Sequence, residues 1–149
     1  MADVAVGLRT PEQVLEAGLS DGLGRPVRIA AISRRMLGEG HADYPVSRWL
    51  VTLTSGDQLR MIFKQCTPET DPEYGANGAI PADFMREVLT YRHVLADPRL
   101  DVATVHASVY DSTLEQYWLF IEDLGTSTLE GAELGDYLAA ARYLGRMHG

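Results

Sequence analysis

Leu59-Arg60-Met61-Ile62-Phe63-Lys64-Gln65-Cys66 is an apolar and aromatic run that contains the only lysine of the chain. Arginine supplies the other twelve basic positions, so Lys64 stands apart in composition as well as in place. The run has the side chains that pack on a pleated surface and is expected to be a β-strand. An ammonium in such a setting needs a counter-charge or an anionic ligand, because an unpaired charge in a partly buried site is costly.

The neighbours of this run extend it into a sheet. Ser55-Gly56-Asp57 is a tight reversal, and Ser47 to Thr54 before it alternates and is rich in β-branched and aromatic residues, as a strand is. Val27 to Ile32 reads as a first strand, separated from the second by the loop Gly38 to Pro45, so three antiparallel strands form a meander. Upstream, Thr10-Pro11-Glu12-Gln13 has the cap, the first-position proline and the third-residue glutamine of a helix start. That short helix is expected to end near Gly18 to Ser20, with turn residues from Asp21 to Pro26.

Downstream, Thr67 to Pro81 carries prolines, glycines and acids without apolar periodicity and reads as an exposed loop. Phe84, Val88, Tyr91 and Leu95 then mark one face of a helix from about 82 to 96, stopped by Asp97-Pro98. Val102 to Tyr110 and Tyr117 to Ile121 are two further strands, and Leu134, Leu138, Ala141 and Leu144 form the stripe of a last helix. Trp49 and Trp118 fall in strand patterns and are expected in the core.

The chain has 149 residues, about one domain, and a net charge of −8 without a basic stripe, which argues against a nucleic-acid partner. Cys66 is the only cysteine, so neither an intrachain disulfide nor a cysteine-based metal site can form. The four histidines lack metal-ligand spacing. Met1 to Gly7 lacks the pattern of a signal peptide, and no apolar run reaches membrane-spanning length, so a cytoplasmic protein without a membrane partner is expected.

Two features carry chemistry. Glu87 lies three residues after Phe84 and four before Tyr91, on the flank of the helix's apolar face, where its carboxylate can meet Lys64 if the helix packs on the sheet. Such a pair is either an ordinary salt bridge or a device that stiffens Lys64 and presents its ammonium to an anion. Gly38-Glu39-Gly40-His41 could bring backbone N–H groups to phosphate oxygens, or could simply be a turn. Cys66, two residues past Lys64, either lines the same groove or is a small buried side chain.

Taken in order, four segments resemble the N-terminal lobe of the aminoglycoside phosphotransferase and choline kinase-like enzymes, which share the protein-kinase-like fold. These are Met61-Ile62-Phe63-Lys64, Met85-Arg86-Glu87-Val88-Leu89-Thr90-Tyr91-Arg92, Trp118-Leu119-Phe120-Ile121-Glu122-Asp123-Leu124, and Leu138 to Gly149. Met147 stands where the family's last motif has leucine, and the glycine loop departs from the family's usual pattern. The resemblance implies an α+β fold with a five-stranded antiparallel sheet, a packed Glu-bearing helix and a short N-terminal helix. It divides the chain into an N-terminal extension at 1–26, a kinase-like N-lobe at 27–124, and a linker with the first helix of a C-lobe at 125–149.

It further implies that Lys64 contacts the α- and β-phosphates of ATP and that Glu87 holds it in place. Gly38 and Gly40 would lie over the phosphates, Ile62 beside the adenine or ribose, and Phe120 at the back of the pocket. The backbone of Glu122, Asp123 and Leu124 would supply the hinge hydrogen bonds to adenine. The complete enzyme would be a transferase moving the γ-phosphate to a hydroxyl of a small molecule or peptide. The family's HxDxxxxN loop and the acidic ligands for Mg²⁺ do not occur in the 149 residues and belong to the expected second lobe, so this chain alone should be inactive. The alternative is a non-catalytic kinase-like module that dimerises or docks on a partner chain covering its C-terminal helix.

Overall fold

A computed structural model describes residues 9–37, 45–65, 84–97, 99–100, 102–111, 113–114, 116–125 and 131–148, without the side chains of 84–86, 147 and 148. The chain runs α1 (Pro11–Leu23), β1 (Ile29–Met36), β2 (Val46–Leu53), β3 (Gln58–Gln65), α2 (Phe84–His93), β4 (Val105–Asp111), β5 (Gln116–Glu122) and α3 (Leu134–His148). The five strands form one antiparallel sheet in the order β1-β2-β3-β5-β4, so the described residues make an α+β architecture with an open sheet and three helices. No helix of the described residues is long and apolar enough to cross a membrane.

The turn after β2 sets the register. The Leu53 N–H donates to the Asp57 carbonyl at 2.9 Å and the Gly56 N–H to the Leu53 carbonyl at 2.9 Å, which closes a tight hairpin and pairs Arg48 with Ile62 and Val46 with Lys64. Directly opposed residues of an antiparallel pair share a face. One face therefore takes Trp49, Val51, Met61, Phe63, Trp118 and Phe120, and the other takes Val46, Arg48, Ile62, Lys64, Leu119 and Ile121.

The first face is the main core. Phe63 stacks on Phe120 with ring centroids 4.6 Å apart, and Trp49 meets Phe120 edge-on at 5.4 Å. Both expected core tryptophans, Trp49 and Trp118, are buried in it. Each fully buried large side chain here contributes about 1.5–3 kcal/mol. Helix α1 covers this face with Val14, Leu15 and Leu19, so the helix expected as an N-terminal extension is part of the core. The Arg34 guanidinium, 4.2 Å above the Trp49 ring, also pairs with Glu12 and ties β1 to the helix.

Several boundaries differ from expectation, and for two of them the structure shows the reason. Helix α1 opens with the anticipated capping box of Thr10 and Gln13 but runs past Gly18 to Leu23, ending on Gly24. Gly18 is a point of close approach rather than a stop: a Cβ there would sit 2.4 Å from the His106 carbonyl oxygen and 2.5 Å from the Ala107 Cβ. The missing side chain lets the helix lie directly on β4. The first strand starts at Ile29 rather than Val27, because the Val27 N–H donates to Ser20 Oγ at 2.9 Å and is drawn to the helix instead of the ladder. The Ile29 N–H likewise donates to the Glu16 carboxylate at 2.8 Å.

Helix α2 lies on the second face at the β4–β5 side. Val88 is fully buried there with Tyr117, against Tyr110, and the Arg92 guanidinium donates to Ser108 Oγ at 2.8 Å and to its carbonyl at 3.0 Å.

The two glycines of α1 separate packing from propensity. Gly18→Ala is expected to lower stability by about 1–3 kcal/mol through overpacking. Gly22→Ala, whose Cβ would meet nothing within 4 Å, should raise it by up to about 1 kcal/mol. Thermal unfolding of the two variants checks this: melting temperatures that move in the same direction would refute the close-approach account.

Candidate functional site

Among the described residues, the sheet face that carries Lys64 is covered by α2 at its β4–β5 side. Within β3 the two-residue period places Arg60, Ile62 and Lys64 on this face, in rows about 7 Å apart along the strand. Neighbouring strands complete the rows: Val46 and Leu119 flank Lys64, Arg48 and Ile121 flank Ile62, and Leu50 and the residue after β5, Asp123, flank Arg60. Arg35 of β1 lies directly opposite Arg48.

At the first row, Lys64 Nζ is bonded to Glu87 Oε1 of α2. Helix geometry explains the contact. Glu87 precedes the buried Val88, so anchoring Val88 on Tyr117 turns the carboxylate toward β3. Both side chains keep about a third of their surface open, at 27% and 32%, so solvent screens the pair and its contribution to stability is small. The ammonium is held in position yet remains accessible.

At the other end of β3 the chain leaves the sheet through Glu122, Asp123, Leu124 and Gly125. The Glu122 N–H donates to the Thr104 carbonyl at 2.8 Å, and its carboxylate accepts from the Thr104 N–H at 3.1 Å, which holds this carboxyl below the ordinary glutamate value. The Asp123 N–H is directed to the Arg60 carbonyl at 3.3 Å. Of the three expected hinge residues, Leu124 alone keeps its N–H without an acceptor among the described residues. The Asp123 carboxylate accepts from the Gly125 N–H at 2.9 Å, and Gly125 adopts φ 94°, a left-handed turn that favours glycine and ends the strand direction.

The same carboxylate meets Arg48, a residue without a role in the sequence reading. Arg48 Nη2 donates to Asp123 Oδ1 at 3.1 Å. Its Nε lies 2.7 Å from Oδ2 but at an angle that makes no hydrogen bond, so the contact there is ionic. The Asp123 side chain is only 3% exposed. Burial pushes its carboxyl up, but the Gly125 N–H and the Arg48 guanidinium, with Arg60 nearby, outweigh burial and hold it below the ordinary aspartate value. The pair could have been found from the hairpin register, which sets Arg48 beside Ile62 on the lysine face. An arginine within an apolar strand carries no local sign of its partner.

One expected site residue is misplaced. Phe120 pairs with Phe63 on the opposite face, is fully buried, and packs on Trp49, so it cannot line a cleft beside Lys64. The period of β5 gives that place to Leu119 and Ile121. Ile62 does share the face of Lys64, as its two-residue spacing requires. Gly38, Gly40, His41 and Cys66 lie outside the described residues. Among the described residues no group of three or more His, Cys, Asp or Glu could hold a metal ion. Comparison of the chain with protein-family models, with curated proteins and with solved structures finds no match.

The Asp123 carboxyl has a signed pH effect. Its folded-state pKa is depressed, so its stabilising contribution is present above the ordinary aspartate pKa, near 4, and is lost as pH falls through the lowered value. In Arg48→Gln the Gly125 N–H still opposes burial, but the guanidinium no longer does, and the carboxyl should titrate higher. That variant should be less stable at neutral pH by about 1–3 kcal/mol, discounted because the arginine end is partly open. Carboxyl NMR titration with denaturant melts at pH 7 and pH 4 checks this. An unchanged Asp123 titration would show that Arg48 does not hold the carboxylate.

Proposed function

We propose that the chain is the ATP-binding lobe of an enzyme similar to the aminoglycoside phosphotransferases and choline kinases. The observation that carries this reading is the Lys64–Glu87 pair, formed between a central strand and a packed helix, with both side chains partly exposed. A strand lysine braced by a helix glutamate is an accessible, positioned point charge suited to phosphate oxygens. Further support comes from the strand end: Leu124 offers a backbone N–H one strand over, two rows along from Lys64. Rows about 7 Å apart give a span that a nucleotide can bridge, with phosphates at Lys64, the sugar and base over Ile62 and Ile121, and the base edge at Leu124. ATP bound there would have its phosphates drawn to the ammonium. Mg²⁺, when bound, would neutralise charge on the transferring phosphoryl group; the HxDxxxxN motif does not occur in the sequence, and no cluster among the described residues could hold the ion. The acceptor is a small-molecule or peptide hydroxyl.

Calorimetric titration of the chain with ATP tests the reading. Lys64→Ala should weaken binding by about tenfold or more, the loss of one charge-assisted contact. Equal affinity in the two proteins would overturn the assignment.

A second reading, a non-catalytic module that dimerises or docks on a partner, is favoured by the stripe Leu134, Leu138 and Leu144 on α3, each at least 48% exposed. On that reading sedimentation velocity shows a concentration-dependent dimer that Leu138→Glu with Leu144→Glu dissolves. A monomer at every concentration would remove self-association.

A further inference from the structure

We propose that Arg48, held by Asp123, is the platform on which a nucleobase stacks, an inference that rests on the nucleotide reading of the Lys64 face. Arg48 is on β2 and Asp123 follows β5, and β3 runs between those strands. To reach the carboxylate at 2.7 and 3.1 Å, the Arg48 side chain has to cross over β3, between the rows of Ile62 and Arg60. Its guanidinium therefore lies across the open face, past the middle row. That is where the base must fall if the phosphates meet Lys64 and the base edge meets Leu124.

The chemistry suits the position. A guanidinium is a planar, delocalised and weakly hydrated cation that stacks on aromatic rings. Asp123 Oδ1 accepts from Nη2 and ties one corner of the group, and the Arg48 side chain keeps 21% of its surface open for a further contact. The pair is also pre-organised, because Asp123 is fixed independently by the Gly125 N–H at 2.9 Å. Charge alone does not account for the arrangement: Arg35 and Arg60 stand on the same face, exposed, while Arg48 is the one paired with a buried carboxylate. The ligand class is a nucleoside triphosphate recognised through the face of its base, with Lys64 reading the phosphates and Arg48 the ring.

The test compares ATP with inorganic tripolyphosphate on the full chain, on Arg48→Lys, and on Arg48→Gln combined with Asp123→Asn. Arg48→Lys keeps the charge but removes the plane; the double variant removes both charges, and its side-chain amide oxygen can still accept from the Gly125 N–H. Both should bind ATP roughly threefold to thirtyfold more weakly than the parent, the range of a cation–π contact, with tripolyphosphate affinity unchanged in Arg48→Lys. In the parent, ATP but not tripolyphosphate should shift the Arg48 Nε–H resonance upfield through the ring current of the base. Stacking is overturned if Arg48→Lys binds ATP as the parent does, if it loses both ligands equally, or if the resonance does not move. If the parent binds tripolyphosphate through Lys64 but the base adds nothing, stacking alone fails. If it binds neither ligand, the nucleotide reading fails with it.

Discussion

The two-residue period of β3 is the constraint on which both faces of the sheet depend. Met61 and Phe63 enter an aromatic core with Trp49, Trp118 and Phe120, while Arg60, Ile62 and Lys64 face the other way. A slip of one residue would drive an ammonium and a guanidinium into that core and expel Phe63, an exchange no marginally stable domain tolerates. The hairpin at Ser55 to Asp57 prevents it by closing the β2–β3 register with two backbone bonds. Helix α1 adds weight on the aromatic side, since Val14, Leu15 and Leu19 have partners only if Trp49 and Phe63 point toward them. The charged face is thus specified by the packing of the opposite one.

Because the signals are local, much of the fold was legible. Alternation marked β2, an apolar and aromatic run marked β3, glycine and aspartate marked the hairpin, and Thr10 to Gln13 marked a helix start that the structure reproduces bond for bond. The errors came from tertiary effects. Gly18 has the low helix propensity of a terminator, yet its value lies in the β4 backbone pressed against it, a neighbour distant in sequence. Val27 has strand propensity, but Ser20 Oγ takes its N–H. The place that the resemblance implies for Phe120 could not be checked against β5 itself, which is apolar at every position from Tyr117 to Ile121. A strand buried on both faces shows no alternation from which to read direction.

The candidate site was legible in its poles and not between them. Lys64 announces itself as the only lysine, and Glu87 follows from helical spacing, so their meeting needed only the helix to pack on the sheet. Arg48 gives no such sign. It is one of twelve arginines, and its partner is 75 residues away. Only a register that runs from β2 through β3 to β5 brings the two together.

The division of labour between the two cation types follows from their shapes. Glu87 comes to Lys64 from a helix above the strand, and a compact ammonium with rotatable donors can meet that carboxylate and still offer a proton to a second anion. Asp123 follows β5, two strands away from Arg48, so its partner must be long enough to reach across β3. A lysine at 48 would present one point to a carboxylate whose two oxygens both face it, leaving the buried oxygen poorly compensated. An arginine at 64 would direct a fork at Glu87 and commit donors that a phosphate would otherwise use. If the face binds a nucleotide, its Lys64 end can share charge with a phosphate, while Arg48, immobilised by Asp123, can serve as a surface.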